Sequence, residues 1–201
     1  MNDEKKTEEV KSESGFAGIY DWVEVLTVSA TIVVVMLMFL LRIATVDGDS
    51  MRETLHDGDV LILSGLFYEP SCGDIVVVEK KDSHVFDSPI VKRVIAVGGQ
   101  TLRIDFSKWQ VYVDGEPIDE AYVNREPGRV MDAEDFALYY GGLMDDDGTL
   151  TVPEGYFFVM GDNRNHSTDS RSVFVGFVRE NEVLGKVLFR LLPISDIGVF
   201  D

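Results

Sequence analysis

Residues 25–41 read VLTVSATIVVVMLMFLL, 17 positions without a charged side chain. As a helix this run spans about 26 Å, just under a hydrocarbon core of about 30 Å. Trp22 and Val23 before it, and Ile43, Ala44 and Val46 after it, lengthen the apolar body. Glu24 and Arg42 fall near the two interfaces, where Arg42 can snorkel. The run is apolar on every face rather than along one stripe, which favours a membrane over a soluble core. The segment before it is long and acidic, and no small-x-small site follows directly, which disfavours a cleaved signal peptide. The chain therefore reads as a disordered polar tail over residues 1–21, a transmembrane helix over 22–44 and a folded domain over 45–201. Lys5, Lys6 and Lys11 precede the span while Arg42 and Arg52 follow it, so charge alone orients it only weakly.

Beyond Val46 the texture changes to short β-like runs divided by turns. VLIL at 60–63 follows Asp57-Gly58-Asp59, and IVVVE at 75–79 follows Gly73-Asp74. IVKRVIAV at 90–97 ends at Gly98-Gly99, and LRI at 102–104 and WQVYV at 109–113 come next. Asp114-Gly115 reads as a tight hairpin turn into Glu116-Pro117-Ile118. GYFFVM at 155–160 and VLGKVLFRLL at 183–192 complete the set, so the domain is mainly β. Residues 126–150 are acidic and poorly periodic, an insertion or long loop. Within them Asp145-Asp146-Asp147-Gly148 has the start of a calcium loop but lacks the remaining ligand positions, and reads as a solvated turn.

Composition closes off several function classes. Lys and Arg total 18 against 36 Asp and Glu, a net charge of −18 that repels phosphate backbones, so nucleic acid is no partner. The single cysteine, Cys72, excludes an internal disulfide, and its setting in Pro70-Ser71-Cys72-Gly73 reads as a turn. No HExxH or Cys/His spacing points to a metal, and no cofactor is implied.

Three polar patches carry chemistry: residues 48–59 directly behind the span, residues 90–99, and residues 160–171. Each has a plain interpretation. Ser50 caps a turn. Lys92 is the polar-face residue of a strand. The third patch is a self-bonded loop. Together they resemble the type I signal peptidases, above all the short Gram-positive form with one span. The resemblance rests on Ser50-Met51-x-x-Thr54-Leu55 with Gly58-Asp59, on Lys92-Arg93-Val94, and on Gly161-Asp162-Asn163-Arg164 with Ser167 and Asp169-Ser170-Arg171. It runs from the span to Leu192, interrupted by 126–150.

The resemblance implies a membrane-anchored catalytic domain with a coiled β-sheet core in two lobes. Exported preproteins cut after a small-x-small motif would be the substrates. The tail would be cytoplasmic, the domain extracytoplasmic, and the bilayer and the secretion translocon its neighbours. Ser50 would be the nucleophile, with its backbone N–H in the oxyanion hole, and Lys92 the base. Ser167 would orient the Lys92 amine, Asp169 and Arg171 would pair, and Asp162, Asn163 and Arg164 would hold the loop. Val46, Met51 and Val91 would line shallow pockets. Gly48 stands where some relatives carry a serine whose hydroxyl completes the oxyanion hole, so another donor must substitute. Glu53 stands where many have proline, and Asn165-His166 replaces the commoner Asp-Asn.

Lysine is an awkward base. Its free pKa of about 10.4 leaves about one amine in 2,500 neutral at pH 7, a deficit of about 4.6 kcal/mol. Apolar surroundings lower it, and Ile90, Val91, Val94, Ile95, Ala96 and Val97 flank Lys92. Alternation would turn Arg93 to the opposite face. Three alternatives stand beside this reading. A self-cleaving repressor would share the dyad but need a DNA-binding N-terminus. A membrane-tethered scaffold would have lost catalysis. A Ser–His–Asp enzyme would need His56, His84 or His166 as base.

Overall fold

The computed structural model describes residues 2–65, 68–80, 86–133 and 135–200, with backbone only at residues 2–17, 19 and 39. It divides at Leu41 into two units. The first is helix α1, Asn2–Leu40. Its stretch Tyr20–Met38 is long and apolar enough to cross a membrane, and none of it is buried by protein. Two boundaries differ from the sequence expectation. Residues 2–21, expected to be disordered, are helical: Glu and Lys are good helix formers, and extending an existing helix needs no new nucleus. The helix also ends before 44, because Arg42–Thr45 forms a strand, β1. A short apolar run abutting a span carries no period that separates the two.

The second unit, from Arg42, is mainly β and antiparallel. Its strands are β1, β2 (Val60–Ser64), β3 (Ile75–Val78), β4 (Ile90–Val97), β5 (Thr101–Asp105), β6 (Gln110–Val113) and β7 (Glu116–Pro117), then β8 (Leu150–Thr151), β9 (Tyr156–Met160), β10 (Val178–Arg179), β11 (Val183–Leu192) and β12 (Gly198–Val199). The larger sheet runs β1-β2-β11-β3-β4-β9-β10, with β12 on β11; the smaller runs β7-β6-β5-β8. Register shifts interrupt the β11–β2, β11–β3 and β4–β9 ladders. Each shift adds a residue to one strand and sharpens the local twist, which curls the large sheet.

β3 is buried along its whole length, as a strand covered on both faces must be. Ile75 and Val77 join one apolar cluster with Leu61, Leu63 and Val91. Val76 and Val78 join another with Val94, Val159 and Val178. The third cluster fills the space between the two sheets, where Ile95, Ala96, Phe158 and Met160 meet Leu102, Val111 and Val113.

Residues 126–150 are built into that third cluster and are not a loose insertion. Helix α2, Phe136–Tyr140, buries Phe136 and Tyr140 there, beside Met131. The Phe136 ring lies edge-on to Phe106 and Phe158 at 5.4 and 6.1 Å. Tyr140 donates its hydroxyl to the Ser170 carbonyl at 2.9 Å, and Trp109 Nε1 donates to the Arg129 carbonyl at 2.8 Å. In the acidic run, Asp145 Oδ1 accepts the N–H groups of Asp147 and Thr149, which makes it a side-chain-closed turn. A five-residue helix surrounded by acidic turns has too few periods to be read from sequence.

Phe136→Ala should therefore lower the unfolding free energy by about 3–5 kcal/mol, the usual cost of emptying an aromatic core site. Denaturant unfolding of the purified chain measures it. A change below about 0.5 kcal/mol, ordinary for a surface position, would mean the segment does not belong to the core.

Candidate active site

Ser50 sits in a turn behind β1, held from several sides. The Val46 N–H donates to the Asp59 carbonyl at 2.8 Å and the Gly58 N–H to the Val46 carbonyl at 3.0 Å, closing the loop at its base. Gly48 has φ +90°, a region that favours glycine, and its N–H donates to Asp57 Oδ1 at 2.8 Å. Asp59 is buried and pairs with Arg190 of β11 at 2.8 Å. Asn163 grips the turn from across the site. Its N–H donates to the Ser50 carbonyl and its Nδ2 to the Asp49 carbonyl, both at 3.0 Å. Among the described residues no acceptor faces the Ser50 backbone N–H.

β4 delivers Lys92 to this turn. Lys92 is only 3% exposed, with Nζ 2.7 Å from Ser50 Oγ, and it donates to the Val91 carbonyl at 3.0 Å. The next residue, Arg93, binds Asp162 through two parallel bonds of 2.9 and 2.8 Å, and Asp162 also accepts from Thr54 Oγ1. Arg93 is thus part of the site's framework. Burial opposes its charge, but the Asp162 carboxylate outweighs that and raises the guanidinium pKa.

The loop 161–171 is organised by buried charge. Asp169 accepts from the Arg171 guanidinium at 2.9 and 2.8 Å, from the Gly161 N–H at 2.9 Å and from Ser167 Oγ at 2.8 Å. Arg171 also donates to the carbonyls of Arg164 and Asp132, both at 2.6 Å. Burial alone would raise the Asp169 carboxyl pKa, yet the Arg171 charge and these hydrogen bonds bring the net shift below the ordinary value. Arg164, also fully buried, pairs with Glu120 and donates Nε to the Gly161 carbonyl at 3.1 Å. Gly161 itself must be glycine: a Cβ there would collide with Ser167 Oγ and the Ser50 carbonyl.

The sequence-predicted residues thus converge: Ser50 with Lys92, Asn163 with the Ser50 turn, Ser167 with Asp169, and Asp169 with Arg171. Val46, Met51 and Val91 share one apolar cluster. Val91 also lines a cleft of about 430 Å³ with Ala44, Asp47, Leu63, Val77, Pro89 and Leu184. Val46 and Met51, 4% and 1% exposed, pack beneath the surface. The His166 ring contacts Glu126 at 3.0 Å and is 59% exposed, so its polar contact lies away from the dyad. His84 lies outside the described residues. Glu120 and Arg190 were missed from sequence. The only signal for them was a charged residue whose partner could not be named.

A protein-family model described as "Signal peptidase, peptidase S26" matches residues 19–192. Signal peptidase I of Bacillus licheniformis is 31% identical over 206 residues, covering 100% of each chain. Signal peptidase I of Bacillus caldolyticus is 35% identical over 178 residues, 85% of this chain and 90% of the relative. A solved signal peptidase I from Enterococcus faecalis V583 is 27% identical, covering 60% of this chain and 97% of that one, with a TM-score of 0.43.

Asp169→Asn and Arg171→Gln should each cost about 3–5 kcal/mol of stability near neutral pH, since each strands a buried partner. The double variant should lose clearly less than the sum, and losses additive within about 0.5 kcal/mol would mean the two do not couple. Because the native Asp169 pKa is depressed, its contribution is fully present above the unfolded value of about 3.9. It should fade progressively as pH falls from that value towards the lower native one, as unfolding curves across acid pH will register.

Proposed function

The chain belongs to the signal peptidase family, peptidase S26, and from that premise we propose that it is a membrane-anchored serine endopeptidase that removes signal peptides with a Ser50–Lys92 dyad. The observation that carries this reading is Lys92 Nζ at 2.7 Å from Ser50 Oγ, on a side chain almost wholly removed from water.

Serine needs a base within hydrogen-bond reach before it can attack a carbonyl. Burial disfavours the charged amine, which makes lysine usable as that base. With the amine neutral, the Ser50 hydroxyl donates to Nζ across the observed distance. As Oγ bonds to the scissile carbonyl carbon, the proton passes to Nζ, and Lys92 then returns it to the leaving amine. The acyl-enzyme is hydrolysed by water activated the same way. Ser167 gives its own proton to Asp169 and keeps its oxygen lone pairs for an amine proton, which suits it to orient Lys92. The Ser50 N–H, with no internal acceptor among the described residues, suits an oxyanion donor. Gly48 N–H is committed to Asp57, so Gly48 itself supplies no second donor in this arrangement.

The apolar cleft beside Val91 fits an extended peptide with small side chains, which supports cleavage after an Ala-x-Ala-like motif. Peptides with Leu or Phe at the first and third positions before the cut should turn over far more slowly than the Ala peptide. Comparable turnover would reject the size filter. The helix 2–40 would anchor the enzyme, with the tail inside and the domain outside the membrane. Protease added to intact spheroplasts should remove the domain, whereas a protected domain would reverse the topology.

Mutation separates the dyad from its rivals. Ser50→Ala and Lys92→Ala should each abolish cleavage, and Lys92→Arg should fail too, because guanidinium stays protonated. His166→Ala should keep most activity. The acidic limb of the kcat/KM profile should fall below the free lysine value of about 10.4. An active Lys92→Ala enzyme, or a His166→Ala enzyme as inert as Ser50→Ala, would transfer the base to histidine.

A further inference from the structure

The short segment behind β7 holds the active-site loop at every second position. Glu120 receives Arg164, and both side chains are fully buried. The Tyr122 ring lies 4.0 Å from the Arg93 guanidinium, and burial pushes its phenol up to about 12. The Asn124 N–H donates to the Asp162 carbonyl at 3.0 Å, and its Nδ2 reaches Asn163 Oδ1 at 3.4 Å. The residues these three grip, Arg93, Asp162, Asn163 and Arg164, are the ones that hold the Ser50 turn and Gly161 in place. Val123 between them is buried in the core between the two sheets.

We infer that residues 120–124 form a positioning strap for the peptidase reaction, with Glu120 as its principal residue. The inference rests on the reading of Ser50 as nucleophile. Glu120 acts through a short chain of contacts: its carboxylate fixes Arg164, Arg164 Nε fixes the Gly161 carbonyl at 3.1 Å, and Gly161 packs against Ser167 Oγ and the Ser50 carbonyl. Asn124 fixes Asn163, whose two donors hold the carbonyls of Asp49 and Ser50. The strap thereby ties the geometry of Ser50 and Lys92 to the smaller sheet, from which it emerges.

A positioning role differs from a merely structural one in which constant it moves. The peptide cleft lies on residues the strap does not touch, so binding should persist while chemistry slows. The test uses the full-length protein in detergent and a peptide carrying an Ala-x-Ala site, with kcat, KM and thermal midpoint measured for each variant. Glu120→Gln should lower kcat about 10- to 100-fold with KM within about twofold, as expected for a misplaced nucleophile. Glu120→Asp should recover part of that loss. Asn124→Ala, which removes no charge, should lower kcat about 3- to 10-fold with little change in thermal midpoint. If Glu120→Gln does not fold, Asn124→Ala decides alone. Unchanged kcat in a folded variant, or a loss that only tracks the folded fraction or appears equally in KM, overturns the strap. Ser50→Ala runs beside them. If it remains active, the nucleophile reading fails; if it is inert while the strap variants are normal, the strap alone fails.

Discussion

Two guanidinium groups with no access to water, Arg164 and Arg171, govern this molecule. A buried cation without a partner is strongly destabilising, so each must be met by a carboxylate. Asp169 and Glu120 supply the charge. The carbonyls of Arg164, Ser167 and Asp132 accept further donors of Arg171, and that of Gly161 accepts Arg164 Nε, while Arg164 Nη1 is buried without a hydrogen-bond partner among the described residues. Each of those carbonyls belongs to a stretch of chain with no strand ladder to fix it. The loop 161–171 therefore takes its shape from the need to surround two charges, and the Ser50 turn takes its shape from that loop through Asn163.

The sheet contributes the lysine that meets Ser50. β4 is central in the large sheet, between β3 and β9, so its backbone is fixed by ladders on both sides. Two adjacent residues use that rigidity differently. Lys92 carries an amine to Ser50, and Arg93 carries a charge to Asp162, which the Thr54 hydroxyl also bonds. Ser50 and Lys92 thus lie on separate stretches of chain, cross-braced by the Arg93–Asp162 pair. That pair is buried, so its geometry is not diluted by competing water.

How much of this could be read from the sequence follows from the separation of the partners. The eight strand runs noted behind Val46 correspond to strands because alternation and turn residues are local signals. Asp169 and Arg171, which lie two residues apart, are paired by the family resemblance rather than by any local signal. The partners of Arg164, Arg93 and Arg190 lie 44, 69 and 131 residues away, and nothing local names them. β1 was hidden in the apolar run of the span, and α2 in acidic turns. Val46 and Met51 are expected at a pocket wall only from the family resemblance, and both are almost fully covered. Hydrophobicity does not distinguish lining a cleft from packing beneath it.

The use of charge where an apolar core would be cheaper has a physical reason. Replacing buried ion pairs by hydrophobic residues often leaves a protein equally or more stable, so the pairs here are poorly explained by stability. What an apolar side chain cannot do is donate hydrogen bonds. Ser50 stands clear of regular structure, so the chain around it has carbonyls without ladder partners, and each would be costly if buried unmet. Arginine brings five donors in a fixed fork and meets several such carbonyls at once. Arg171 does so on three residues while paired to Asp169. Its charge is the consequence of needing that many donors in one place, and the buried carboxylates follow from the charge. On this account the carboxylates are present because the arginines are charged, and removing one alone is costly because it strands its partner, whatever the net worth of the intact pair.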